Sequence, residues 1–357
     1  MTLIRISVWI VCITALFVSL DCPAATNVPP ASELLDKYTR ALDSTQSFIS
    51  TWESSDVSSY LIPSWGMQAT DVKQYARGEN RTDNKGRKYC KSYSWGYCSA
   101  SYPNLSEDDP QYVMDVIGSD FTYRHDRKIG DNPFDYKGRI DYRKEGTKGW
   151  DTPDRKHWGY FDNGDTNSAL LGYFYTRARL DRILRDKKRV YVHPKPEAIN
   201  GSLCYVLEAD TRYGEFKLWL DSEHGYHPAR IRATVTIGHD IGDPGSPHII
   251  TKAEAITRKF IVDNVCFENI HDVWVPMEAD RTTNIILGSE NGFSRSKVHF
   301  KRTKIMLDPD HHALGSFKDP IENPTVDPEL RNGTEIRLNL GDGINRMWQN
   351  GKPVPVN

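Results

Sequence analysis

The chain has 357 residues, with 46 basic and 48 acidic side chains and a net charge of −2. That balance gives no electrostatic case for nucleic acid, whose binding rests on many cations neutralising phosphates. The length suffices for one large β domain or two smaller ones. The sequence holds no Gly-x-Ser-x-Gly, no phosphate-cradling glycine loop and no His-Glu-x-x-His, so it carries no strong enzymatic signature.

Residues 1–25 have the layout of a secretory signal peptide. One positive charge, Arg5, precedes an apolar run from Ile6 to Leu20, and small residues follow at Ala24 and Ala25. The run is shorter than the roughly 20 residues that span a bilayer. Ser19-Leu-Asp21 departs from the Leu-small-small pattern that precedes a lipidated cysteine, so Cys22 is read as leaving with the leader. The remaining chain is expected in the periplasm or outside the cell, without a transmembrane span. In that oxidising space Cys90, Cys98, Cys204 and Cys266 are expected to pair, Cys90 with Cys98 and Cys204 with Cys266.

After Pro29 and Pro30, Ser32 reads as a helix cap, and Leu34, Leu35, Tyr38, Ala41 and Leu42 recur at helical spacing. The Ser/Thr-rich stretch from Ser47 to Tyr60 fits one or two strands. From about 85 to 165 the chain becomes dense in Asp, Lys, Arg, Tyr and Trp with few aliphatic residues, which short, twisted, partly exposed strands fit better than helices. Its charge reads first as a solvated sheet face. The sharper reading is a platform of exposed aromatics, including Trp95 and Trp150, that binds sugars. A second helix is expected from Asn167 or Ser168, carrying Leu170, Leu171, Phe174, Ile183 and Leu184, with a basic last turn from Arg185 to Arg189.

Strands then read at Val190–His193, Leu203–Ala209, Glu215–Asp221, Ala229–Ile237, about Glu254–Val262, Val273–Met277, Thr282–Leu287 and Lys297–Met306. Such close spacing requires antiparallel pairing. Phe216, Leu218 and Leu220 oppose Lys217 and Trp219. Ala229, Ile231, Ala233, Val235 and Ile237 oppose Arg230, Arg232, Thr234 and Thr236. One face is dry and the other wet, and a sheet of this kind curls around whatever covers its dry face. Pro353 and Pro355, after the Asn350-Gly351 turn, confine the last strand to a sheet edge. The expected fold is an α+β domain with a curved antiparallel sheet covered by a few helices. The expected organisation is a signal peptide at 1–25, one domain at 26–320 with a Tyr/Trp-rich insertion at about 85–165, and a Pro-rich extension at 321–357 ending in a hairpin.

Leu171, Phe174, Leu184, Phe216, Leu218, Leu220, Ile231 and Val235 are the candidate lining of an apolar site between helix and sheet. His224, His227, His311 and His312 lack the spacing of a helical His-x3-His metal site. Asp221, Glu223 and Glu208 are the carboxylates a hydrolase would use, although a glycosidase needs a pair at a defined separation. Neither a metal nor a cofactor is expected.

These residues carry a resemblance. The helix Leu34-Leu-Asp-Lys-Tyr-Thr-Arg-Ala-Leu42, the pattern Gly214-x-x-Lys-Leu-Trp-Leu-Asp221, the following Pro228-Ala-Arg-Ile231 and the later Val273-Trp-Val-Pro-Met277 resemble the lipoprotein carrier family of LolA, LolB and RseB. The resemblance covers about half of the exported chain. It implies an unclosed β-barrel with helices as a lid over an apolar cavity that takes acyl chains. The expectation is therefore a non-enzymatic binder of lipid or lipoprotein acyl chains, with an envelope protein as a second candidate partner. The alternative is an extracytoplasmic glycan- or protein-binding module using exposed aromatics, ahead of a carboxylate-dependent hydrolase.

Overall fold

The computed structural model describes residues 28–63, 66–97, 104–128, 138–145, 170, 172, 179–240, 249–251, 256–288, 292–338 and 346–356. The expected signal peptide, Trp150 and the start of the second helix lie outside them.

Helix α1 spans Ala31–Asp43. It begins one residue before the expected cap: Pro30 holds the N-cap position in an extended conformation with no side-chain cap bond, and Ser32 lies within the first turn. Proline's fixed φ and missing N–H suit a helix start, where that donor has no partner in any case. Glu33 sits in the first turn, where the helix dipole favours a carboxylate. Its described partner helix, α2, is short, Leu180–Arg185. The basic run read as its last turn instead crosses into a strand, because the helix stops at Asp186.

The strands are β1 (Phe48–Ile62), β2 (Met67–Thr82), β3 (Lys88–Gly96), β4 (Gln111–Ile117), β5 (Phe121–Lys128), β6 (Arg139–Lys144), β7 (Lys187–Val192), β8 (Glu197–Ile199), β9 (Ser202–Thr211), β10 (Gly214–Asp221), β11 (Pro228–Thr236), β12 (Thr257–Ile270), β13 (Val273–Ile286), β14 (Phe293–Leu307), β15 (Glu335–Leu338), β16 (Arg346–Gln349) and β17 (Lys352–Pro355). Two antiparallel meanders, β1–β6 and β8–β14, with β7 also pairing β9, are joined by antiparallel pairing of β1 with β14. The result is one curved, unclosed sheet. Its one parallel pair among the named strands, β6 with β15, brings the C-terminal segment onto the far end. The two segments read as separate strands at Val273–Met277 and Thr282–Leu287 are one strand, β13. The last hairpin matches its turn signal, with Asn350 at φ 50° and Gly351 at φ 78°, as a type I′ turn requires. Among the described residues strand β17 pairs only with β16, which puts Pro353 and Pro355 at an edge there.

Two cores lie on opposite faces of this sheet. On the first face, cross-strand partners line up as Leu207–Leu218–Ile231–Val262 and as Ala209–Phe216–Ala233–Phe260. The second row alternates small and large side chains, which lets neighbours interdigitate without voids. Leu34, Leu35, Tyr38 and Leu42 of α1 and Leu180, Ile183 and Leu184 of α2 pack onto these rows.

The second core is built on the other face of β3–β6. Tyr89, Tyr112, Met114, Val116, Phe121, Tyr123, Ile140 and Tyr142 pack against Phe317, Ile336 and Trp348. Four of the tyrosines that suggested an exposed platform are therefore core: Tyr89, Tyr112, Tyr123 and Tyr142 are at most 4% exposed. The chain from 309 to 338 covers them, and Asp327 fastens it. Its carboxylate accepts from Tyr112 Oη at 2.8 Å and Tyr123 Oη at 2.5 Å, and lies 2.7 Å from His125 Nδ1. Burial alone would raise this carboxyl, but the bonds from His125, Tyr123 and Tyr112 outweigh it and hold the pKa below the ordinary value. Tyr142 donates in the same way to Asp319, at 2.6 Å.

Candidate functional site

The helix-covered face brings together most of the residues that the sequence marked as an apolar lining. Leu184, Phe216, Leu218, Leu220 and Ile231 belong to one contiguous core and are at most 3% exposed. Val235 lies apart, in a small cluster with Ile250. Leu171 and Phe174 lie outside the described residues.

The two helices are tied to each other by polar bonds. Arg179 donates to Asp43 at 2.6 Å and, through Nε and Nη2, to Asp181 at 3.0 and 2.8 Å. Thr39 donates to Asp181 at 2.9 Å, and Arg185 to Asp36 at 2.6 Å. Burial would raise the Asp181 carboxyl, but the Arg179 guanidinium holds it below its usual range. Against the sheet, by contrast, the helices set mainly apolar side chains, with Lys37 reaching Tyr226 Oη at 3.0 Å. The helical pair is thus one unit resting on a greasy surface.

Several buried polar atoms on this face, Tyr38 Oη, Ser50 Oγ, Trp52 Nε1 and Asn80 Oδ1, have no hydrogen-bond partner among the described residues, nor do His125 Nε2, His311 and Ser316 Oγ elsewhere. Ser50 and Asn80 are cross-strand partners, and Trp52 lies opposite Gly78. That glycine makes room for the indole, since a Cβ there would meet the ring at 2.7 Å. Tyr38 is fully buried, and burial pushes its phenol far above the ordinary value. Buried polar atoms are normally paired. Beyond β12 the face itself turns polar: Val262 is followed across the sheet by Arg281, Val298 and Asp56, and Phe260 by Thr283, Ser296 and Ser58.

The other sequence candidates separate. Asp221 is a turn residue: it accepts from the backbone of Glu223 and lies 2.7 Å from His224 Nδ1. Glu208 bonds Lys217 and His193, both at 2.9 Å, and Lys217 first among them lowers its pKa. Asp221 pairs with Cys204 across the β9–β10 ladder while Glu208 pairs with Lys217. Four residues along a strand is roughly 13 Å, beyond the separation of a glycosidase pair. Among the described residues no three His, Cys, Asp or Glu converge as a metal site. His311 is buried against Phe317, whereas His312 is exposed.

The expected Cys204–Cys266 bridge does not form; both thiols are free. Cys204 is on β9 and Cys266 on β12, three strand spacings or about 14 Å away, which no disulfide can span. Burial pushes the Cys204 thiol up to about 12, as expected of an inert core sulfur. Cys90 is buried, and its expected partner Cys98 lies outside the described residues. The wet-face assignment of Trp219 also fails: the ring is 2% exposed, with Lys217, Arg230 and Arg232 above it at 4.9, 5.6 and 5.2 Å. Its Nε1 donates to Glu197 at 2.7 Å, so β8 and a cationic canopy cover the second face there.

No family model matches the chain, and no curated protein matches it. Among solved structures it is similar to one described as lipid–protein interactions in lipovitellin, with 10% identity and a TM-score of 0.29 over 74% of this chain and 26% of that one. The chain thus spans about a quarter of that structure's length. Among the described residues no helix is long and apolar enough to cross a membrane.

Proposed function

We propose that this chain is an exported, non-enzymatic binder of lipid or lipoprotein acyl chains, acting in the manner of the lipoprotein carriers it resembles. The observation that carries the reading is the attachment of the helical pair. Polar bonds hold α1 to α2, while the pair meets the sheet through mainly apolar side chains, Tyr38 among them, and the Lys37–Tyr226 bond. A cover attached this way lifts as a unit, and an acyl chain entering beneath it regains about 0.8 kcal/mol per buried CH2. The polar orphans and the row through Arg281 and Asp56 suit the other end of an amphiphile. Export places the protein in the envelope, where such ligands are made available to it.

Native mass spectrometry of protein purified from its own envelope, followed by uptake of a dansylated fatty acid, tests this reading. A co-purifying lipid mass and saturable uptake are expected. Lys37→Ala is expected to speed uptake severalfold while changing stability by only about 0.5–1.5 kcal/mol, the worth of one hydrogen bond. A ligand-free mass together with no uptake of the probe overturns the proposal.

A further inference from the structure

The face opposite the helices carries a cleft of about 380 Å³ over β14, β1, β2 and β3, lined by Glu53, Tyr75, Arg77, Trp95, His299 and Lys301. Register places these side chains together. Lys301, Glu53 and Arg77 follow one another across the strands, and His299, Ser55, Tyr75 and Trp95 form the next row. Tyr75 and Trp95 lie nearly parallel and offset, with centroids 6.0 Å apart and 21° between their planes, and Tyr75 is 40% exposed. Arg77 lies 5.5 Å from the Trp95 ring.

The charges in this cleft are arranged unequally. Arg77 is paired with Glu107 at 2.8 Å, Lys301 with Glu278 at 3.4 Å, and His299 with Asp280 at 2.9 Å. Glu53 stands in register between two cations, yet both pair away from it, and its exposed carboxylate has no ion-pair partner among the described residues. The cleft therefore offers no surplus positive charge to an anion, and its polar rim gives little to a purely apolar ligand. It offers ring faces beside an uncommitted acceptor and the Ser55 hydroxyl.

We infer that this cleft binds a neutral sugar, one pyranose unit of an oligosaccharide. The C–H face of the ring lies on Tyr75 and Trp95, its hydroxyls donate to Glu53, and Arg77 donates to a ring or hydroxyl oxygen. The volume is within the range of small-ligand sites. Because the cleft is on the face away from the helices, the inference stands or falls independently of acyl-chain binding.

The test uses the full-length exported protein and a panel of neutral trisaccharides (cellotriose, maltotriose and chitotriose) followed by tryptophan fluorescence and calorimetry. At least one is expected to bind at millimolar concentration or below. Trp95→Ala and Glu53→Gln are each expected to weaken it about tenfold, the scale of one well-placed ring or charged hydrogen bond, with Trp95→Phe restoring most of the loss. Unfolding midpoints and dansylated fatty acid uptake of the variants are expected to match the parent. Absence of binding by the whole panel overturns the inference, as does binding that both variants leave unchanged or binding only of sulfated sugars or peptides.

Discussion

The two cores solve the same problem, covering one face of a sheet, with different chemistry. Over β9–β12 the cover is apolar against apolar, and apart from Lys37 to Tyr226 its polar bonds run within the cover itself. Over β3–β6 the cover is bolted through a buried carboxylate to two tyrosines and a histidine. Apolar contact is strong in sum but non-directional, whereas a satisfied buried network fixes one geometry and is costly to open. The comparison assigns movement to the helical cover and rigidity to the C-terminal one.

The largest effect that would sharpen this contrast is expected from Asp327→Ala. It leaves two phenols and an imidazole buried without their acceptor, at a cost of about 4–5 kcal/mol in denaturant unfolding. Hydrogen exchange is expected to rise over Lys88–Lys144 and 309–338 while β9–β12 stay protected. Equal deprotection of both regions would break the distinction. A smaller effect, about 3 kcal/mol, is expected from Leu218→Ala in the first core, where a cavity replaces a fully buried side chain. Its exchange signature should be the reverse.

The smallest effect concerns acid. His227, behind the first core, is held neutral by burial and its pKa falls to about 4. Below its unfolded value of about 6.5 the unfolded chain binds a proton that the folded chain refuses, so stability is full above about pH 6.5 and declines toward pH 4. The loss at pH 5 is about 2 kcal/mol, and His227→Phe is expected to flatten it. Asp327, whose folded pKa is also lowered, loses its contribution in the same direction but in a more acid window. Its lowered folded pKa means its contribution stays complete until pH falls below the unfolded carboxylate value near 3.9. Exchange at pH 5 should therefore loosen β10–β11 first; a second core that loosens earlier would contradict the ordering.

Legibility in the sequence followed the same division. Strands β10 and β11 were readable because apolar and polar side chains alternate cleanly along them. The polar stretch at β1 was read as one or two strands and is one, whereas β2 was not read: its Asp, Gln and Arg give no two-residue hydrophobic rhythm, and pairing with β1 and β3 rather than burial defines it. Alternation also misplaced Trp219, since it reports which face is apolar and not what a later loop lays over the other. The Asp327 network joins residues 202 positions apart, and no local pattern encodes such a meeting. Of the sugar cleft, Trp95 stood out as an aromatic, but Glu53 and Tyr75 acquire meaning only from register.

The parallel pairing of β6 with β15 also sets an order of assembly. Strands β3–β6 are made early, yet Phe317, Asp327, Ile336 and Trp348, which complete their core, come roughly two hundred residues later in the chain. Until then the tyrosine-rich face is wet and sticky, the condition under which long-range sheets fold slowly and associate wrongly. A chain stopped short of residue 327 would keep its first core and lose the second. The second core therefore closes only once the C-terminal segment has been made, whereas the strands and helices of the first core are complete before it.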